Sequence, residues 1–133
     1  MKIFFDENFS PKIAKALNEL QLPHDGIEVL SIAEEFRGVA DELWISEIAK
    51  RHGVVISQDF NIYKTIHQKE LLVKNKIGFI FFCQPRKNQY KYWDWIKLII
   101  NNWEEIKIIA KSESKPFVHQ KKSTCNKIKK LPI

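Results

Sequence analysis

With 133 residues, 44% of them hydrophobic and only 4 Gly and 5 Pro, the chain has the length of one domain and enough apolar residues for a core. No window approaches the roughly 18 uninterrupted apolar residues of a membrane span, and Cys83 and Cys125, 42 residues apart, suggest neither a disulfide framework nor a zinc site. The net charge of +6 is lopsided: residues 1–59 carry 11 of the 16 acidic and 6 of the 22 basic residues, a balance of −5 that leaves +11 on residues 60–133.

A basic excess of that size raises the local concentration of a polyanion, of which nucleic acid is the commonest in cytoplasm. A soluble protein with a lysine-rich tail accounts for it equally well. Met1 leads directly into an apparent strand and not a signal peptide, so a cytoplasmic protein with no membrane partner is expected.

Lys2-Ile3-Phe4-Phe5 is an apolar run of β-forming residues that stops at Asp6-Glu7-Asn8, which cannot continue a buried strand. Ser10-Pro11 then offers an N-cap and a proline at the first helical position, and Ile13, Ala14, Ala16, Leu17 and Leu20 recur at helical spacing to about Leu22. Pro23 and Gly26 break that helix, Ile27 to Ile32 reads as a second strand, and Ala33 to Ala40 reads either as a helical turn or as a loop. Asp41 suits the N-cap of a helix whose stripe is Leu43, Trp44, Ile48 and Ala49, with Gly53 at its C′ position.

Val54-Val55-Ile56 is apolar throughout, as expected of a parallel strand covered on both faces, and Ser57-Gln58-Asp59 closes it. A polar-rich helix follows over Asn61 to Lys74, then a strand over Ile77 to Cys83, then a long amphipathic helix over Tyr90 to Ala110 containing Trp93, Trp95 and Trp103. Phe117-Val118 opens a short edge strand before the lysine-rich end. Alternation of strands and helices predicts an α/β fold: a single three-layer α/β/α domain over residues 1–118 with a mostly parallel sheet of 4–5 strands, and a tail over 119–133.

In an open sheet of this kind ligands bind at the carboxyl ends of the strands, and acids stand there. Asp6 and Glu7 follow the first strand, Asp41 opens a helix, and Asp59 follows Val54–Ile56, at separations of 35 and 18 residues between the aspartates. Carboxylates brought together repel unless a cation neutralises them, and oxygen-only ligands suit Mg²⁺ or Mn²⁺. Each acid also has a plainer explanation: a helix cap for Asp41, a turn residue for Asp59, a solvated loop for Asp6-Glu7. Ser10 and Ser57 are candidates to orient ligands, with a helix cap the simpler role for Ser10. His24, His52, His67 and His119 show no ligand spacing and read as surface or packing residues. The tryptophans are expected in a core or a dimer face; Tyr90, Tyr92 or Trp93, if exposed, would be able to stack on bases.

The run Phe5-Asp6-Glu7-Asn8-Phe9-Ser10-Pro11, then Asp41 at the start of a helix, then Val55-Ile56-Ser57-Gln58-Asp59, resembles the small PIN-like domains that serve as toxins of bacterial and archaeal toxin–antitoxin pairs. The resemblance covers roughly residues 1–82. It implies a metal-dependent ribonuclease on a central parallel sheet, with Asp6, Asp41 and Asp59 as catalytic, metal-holding acids and Mg²⁺ or Mn²⁺ as the ion. It further implies RNA as substrate, a cognate antitoxin as protein partner, and a homodimer. Many members carry a further glutamate between the first two aspartates, for which Glu7, Glu34 and Glu35 are the candidates here. Many also carry an acid two residues after the last aspartate, where this chain has Asn61, which can still ligand metal through oxygen or water. Lys64, Lys87 and Lys91 are expected to hold RNA by its phosphates.

Two other readings are open. An inactive PIN-like module would bind RNA or a partner without cutting, as Asn61 suggests. A receiver-type phosphoacceptor domain would also place an acidic pair after its first strand and an aspartate after its third. Lys115-Pro116 mimics that fold's lysine-proline element but precedes the strand it should follow, and Asp41 would have no task.

Overall fold

Every side chain of the first strand but one is fully inaccessible, and the reason lies in what the flanking segments become. A computed structural model describes the backbone of residues 1–133 and all side chains except those of Asp41, Glu42, Ile66, His67 and Gln68. Strand β1 is Lys2–Phe5, with Ile3, Phe4 and Phe5 each 0% exposed. Helix α1 is Pro11–Leu20, capped by Ser10, whose Oγ accepts the Lys12 N–H at 3.2 Å. A single 3₁₀ turn at Pro23–Asp25 leads to β2, Glu28–Ser31, and to the short helix α2, Ile32–Glu35. Helix α3 is Asp41–Lys50 and β3 is Gly53–Ser57. Helices α4, Asn61–Lys64, and α5, Ile66–Asn75, precede β4, Gly78–Phe82. The long α6, Tyr92–Ser112, is followed by β5, Phe117–Lys121, and β6, Lys129–Leu131.

The sheet order is β2-β1-β3-β4-β5-β6, parallel from β2 to β5 with β6 antiparallel at the edge. The fold is therefore α/β with a mostly parallel six-stranded sheet, one strand more than the sequence suggests. Alternate residues feed two cores. Ile3, Phe5, Val54, Ile56, Ile80 and Phe82 pack with α1 and α6 on one face, and Phe4, Val55, Phe79 and Phe81 pack with α2, α3, α4 and α5 on the other. Burying each such side chain is worth about 1.5–3 kcal/mol, which is what fixes strand register here.

Several local expectations are corrected. Ala40, not Asp41, is the N-cap of α3, and Asp41 is its first helical residue. The left-handed position after α3 is taken by His52 (φ 56°), while Gly53 begins β3 because a Cβ there would lie 2.7 Å from both Ile48 Cγ2 and Phe4 Cε2. The single helix expected over Asn61 to Lys74 is divided at Thr65, a β-branched residue in extended conformation (φ −83°, ψ 119°). The strand expected at Phe117-Val118 is interior and not an edge. Residues beyond 118, read as a tail, supply the end of β5 and all of β6; hydrogen bonding along the backbone holds Lys129 and Lys130 in a strand that their charges conceal. No helix among the described residues is long and apolar enough to cross a membrane.

Candidate acidic site at the sheet switch point

The connection leaving β1 goes to β2 on one side, and the connection leaving β3 goes to β4 on the other, so the strand order reverses between β1 and β3. Such a reversal opens a crevice beyond the carboxyl ends of the two strands. Asp6 follows β1 and Asp59 lies two residues after the end of β3. The Asp6 N–H donates to the Ile56 carbonyl at 3.0 Å, which continues the parallel ladder one residue past β1 and locks the first acid against β3.

Asp6 is 4% exposed. Its Oδ2 accepts the Ser57 hydroxyl at 2.5 Å and the Gln58 N–H at 3.1 Å, and its Oδ1 accepts the Asn8 N–H at 3.1 Å. Burial pushes its pKa above the ordinary carboxylate range; the Ser57, Gln58 and Asn8 bonds pull in the opposite direction, and the charge of Asp59 adds to the rise. Ser57, fully buried, accepts the Asp59 N–H at 2.9 Å while donating to Asp6, so one hydroxyl ties both acidic segments together. Asp59 Oδ1 in turn accepts the Asn61 N–H at 3.0 Å and opens α4. The turn role and the proximity to Asp6 coexist in Asp59.

A carboxylate offers about four lone-pair directions, of which three are taken on Asp6, with the free one on Oδ1. A hard divalent ion fits that remaining direction and Oδ2 of the half-buried Asp59 in chemical type. Among the described residues no group of three or more His, Cys, Asp or Glu side chains converges as a metal site. Asp41, the third expected acid, lies outside the described side chains; its backbone begins the helix that returns from the carboxyl rim to the amino end of β3.

The other expected residues divide. Glu7 is exposed in the turn after Asp6. Glu34 pairs with Lys15 at 3.5 Å and Glu35 with Arg51 at 3.3 Å, so both are engaged by cations of α1 and the α3 end. Asn61 is brought to the site by its backbone bond to Asp59. Lys64 is exposed, with Nζ 5.7 Å from the Phe60 ring centre, and Lys87 and Lys91 lie in the exposed segment that leaves the carboxyl end of β4. Trp95 and Trp103 are core residues at 8% and 7% exposed, whereas Trp93 stands 67% exposed. His67 lies outside the described side chains, and His119 is buried, its Nε2 3.8 Å from Glu113 Oε1, with no hydrogen-bond partner for either ring nitrogen among the described residues. Lys115 Nζ donates to the His52 carbonyl at the amino ends of the strands, the rim opposite Asp6 and Asp59, where a receiver-type lysine would have no phosphoryl group to meet.

The sequence shows no trace of the Asn8 and Gln58 amides as holders of Asp6. Every residue but proline carries that donor, so only the turn geometry reveals its use. A family model described as a PIN like domain matches residues 1–84, a span that includes Asp6, Asp41, Asp59 and Lys64. No curated protein and no solved structure matches the chain.

Proposed function

Because the chain belongs to the PIN-like domain family, we propose that it is a metal-dependent endoribonuclease, the toxin of a toxin–antitoxin pair, with Asp6, Asp41 and Asp59 as the acids of its active site. The observation that carries the reading is the buried Asp6, held at the sheet switch point by Ser57 and by the turn that presents Asp59. The charge of Asp59 raises the cost of ionising Asp6, and a cation shared by the two carboxylates would offset that cost. A Mg²⁺ or Mn²⁺ ion held by Asp6, Asp59 and Asp41 would supply Lewis acidity toward the phosphodiester and lower the pKa of water beside it.

The chain's own groups do the positioning. Ser57, Asn8 and Gln58 fix the plane of the Asp6 carboxylate, so it needs no reorganisation when a ligand arrives. Asn61 fixes Asp59 through its backbone N–H. Lys64, Lys87 and Lys91 contact the RNA phosphates, which sets the strand in place without reading its sequence. RNA, a cognate antitoxin and a second copy of the chain are the partners proposed with this function, and the cytoplasm its location.

The test is cleavage of single-stranded RNA by metal-stripped protein after addition of Mn²⁺. Cleavage that stops on chelation and is lost in Asp6→Asn supports the reading; a wild-type chain that cuts no RNA in Mn²⁺ or Mg²⁺ overturns it. Growth arrest on induced expression, relieved by the same substitution, tests the toxin role. Asn61, neutral where many members of the family are acidic, supports a second reading in which the domain binds RNA without cutting it.

A further inference from the structure

We propose that the recess between the turn after β1, the end of β3 and the start of α6 is a subsite for one unpaired RNA base, with the Tyr92 ring as its stacking face. The inference deepens the nuclease reading and rests on it for the identity of the ligand. The recess holds about 200 Å³ and is bounded by Asn8, Phe9, Ser10, Gln58, Tyr92 and Trp95. It adjoins the acidic site directly, because the two residues whose amides hold the Asp6 carboxylate, Asn8 and Gln58, also form its wall.

Its floor is rigid. The Trp95 ring meets Phe9 edge-on at 5.4 Å and Tyr90 edge-on at 5.1 Å, and both Phe9 and Trp95 belong to the core. Tyr92 is different. It is the first residue of α6, at the open end of the stripe of Trp95, Ile99, Trp103 and Ile106 that the helix buries, and it is 44% exposed with its ring stacked on the 67% exposed Trp93 at 5.5 Å and 28°. An aromatic face presented to water is suited to a base that has left its own stack, because every base has a π-face.

The polar groups fit the same ligand. The Asn8 side chain is without a hydrogen-bond partner among the described residues, and Gln58 engages only one amide hydrogen, at 3.4 Å to the Asn8 carbonyl. Carboxamides offer donor and acceptor together, as base edges require. Lys12, two residues after Ser10, and Lys91, the residue before Tyr92, are exposed and without an ion pair among the described residues, which suits them to flanking phosphates.

The experiment measures affinity of the full chain for a short single-stranded oligoribonucleotide in chelator, so that no strand is cut, by fluorescence anisotropy. Tyr92→Ala is expected to weaken binding by roughly 5- to 150-fold and Tyr92→Phe to retain it, the range of one base–aromatic stack. An abasic nucleotide placed at the responsive position should weaken wild-type binding comparably and Tyr92→Ala binding no further. Additive losses, or Tyr92→Ala binding as wild type, overturn the subsite. So does a Tyr92→Ala chain whose oligomeric state changes while its RNA affinity does not, which would make this corner a protein contact. A wild-type chain that binds no RNA also overturns it. A chain that shows the coupling yet cuts no RNA in Mn²⁺ supports the subsite and overturns the nuclease reading instead.

Discussion

The Ser57 hydroxyl donates to Asp6 Oδ2 at 2.5 Å across 51 residues of sequence. It joins the end of β3 to the end of β1 side chain to side chain, and it favours the ionised form of Asp6, whose pKa it lowers against the effect of burial.

Ser57→Ala should therefore destabilise the protein by about 1–3 kcal/mol, since it leaves the buried Asp6 carboxyl one hydrogen-bond partner short and frees the Asp59 N–H as well. The loss should grow as pH rises, because the Ser57 bond favours the ionised form of Asp6. Urea melts at two pH values check this; a loss independent of pH would mean the hydroxyl serves only the turn.

Asp6 titrates above its ordinary range because it is buried, so the folded chain keeps a proton there at pH values where the unfolded chain has lost it. The stability this contributes is fully present below the unfolded pKa and is lost as pH rises through the folded one. Asp6→Asn lacks that titration. The stability of Asp6→Asn relative to wild type should therefore increase from acid toward neutral pH in metal-free protein. Added Mn²⁺ should raise the Tm of wild type and not of the variant.

For Asp59→Asn the amide oxygen can still accept the Asn61 N–H, so the turn that opens α4 is kept. Metal-free stability should stay level or rise, because one charge that opposes ionisation of Asp6 has gone. Cleavage should fall at least about tenfold to a hundredfold and RNA binding should persist. A variant that melts lower yet cuts RNA at the wild-type rate per folded molecule would remove Asp59 from the active site.

Gly78 lies under the Phe117 ring, where a Cβ would stand 2.2 Å from Phe117 Cζ. Gly78→Ala should cost about 1–3 kcal/mol through overpacking between β4 and β5. Combining it with Phe117→Leu should cost less than the sum of the two single changes. Thermal melts of the three variants give the answer, with strict additivity as the contrary result.

Residues 60–133 carry +11, and replacing Lys121, Lys122, Lys127, Lys129 and Lys130 by Gln should reduce the salt dependence of RNA binding if these lysines contact phosphate. Lys130 already pairs with Glu113 at 3.1 Å, so its share should be the smallest. An unchanged slope would assign the β5–β6 lysines to solubility or to a protein partner.

By itself the sequence determined the order of strands and helices, the parallel sheet and the position of each acid at a strand or helix end. It could do so because Phe4-Phe5, Val54-Val55-Ile56 and Ile80-Phe81-Phe82 are apolar without interruption, and only strands covered on both faces tolerate that. What it could not determine were features that depend on partners distant in the chain. The sixth strand, made of Lys129-Lys130-Leu131, exists because β5 offers it an unpaired edge. Glycine went to the close approach of Gly53 to Phe4 and Ile48 and not to the left-handed turn, which His52 accepted. Above all, the state of Asp6 was decided by tertiary structure, since a carboxylate's pKa depends on what surrounds it, and Ser57 and Gln58 reach it only once β1 and β3 lie side by side.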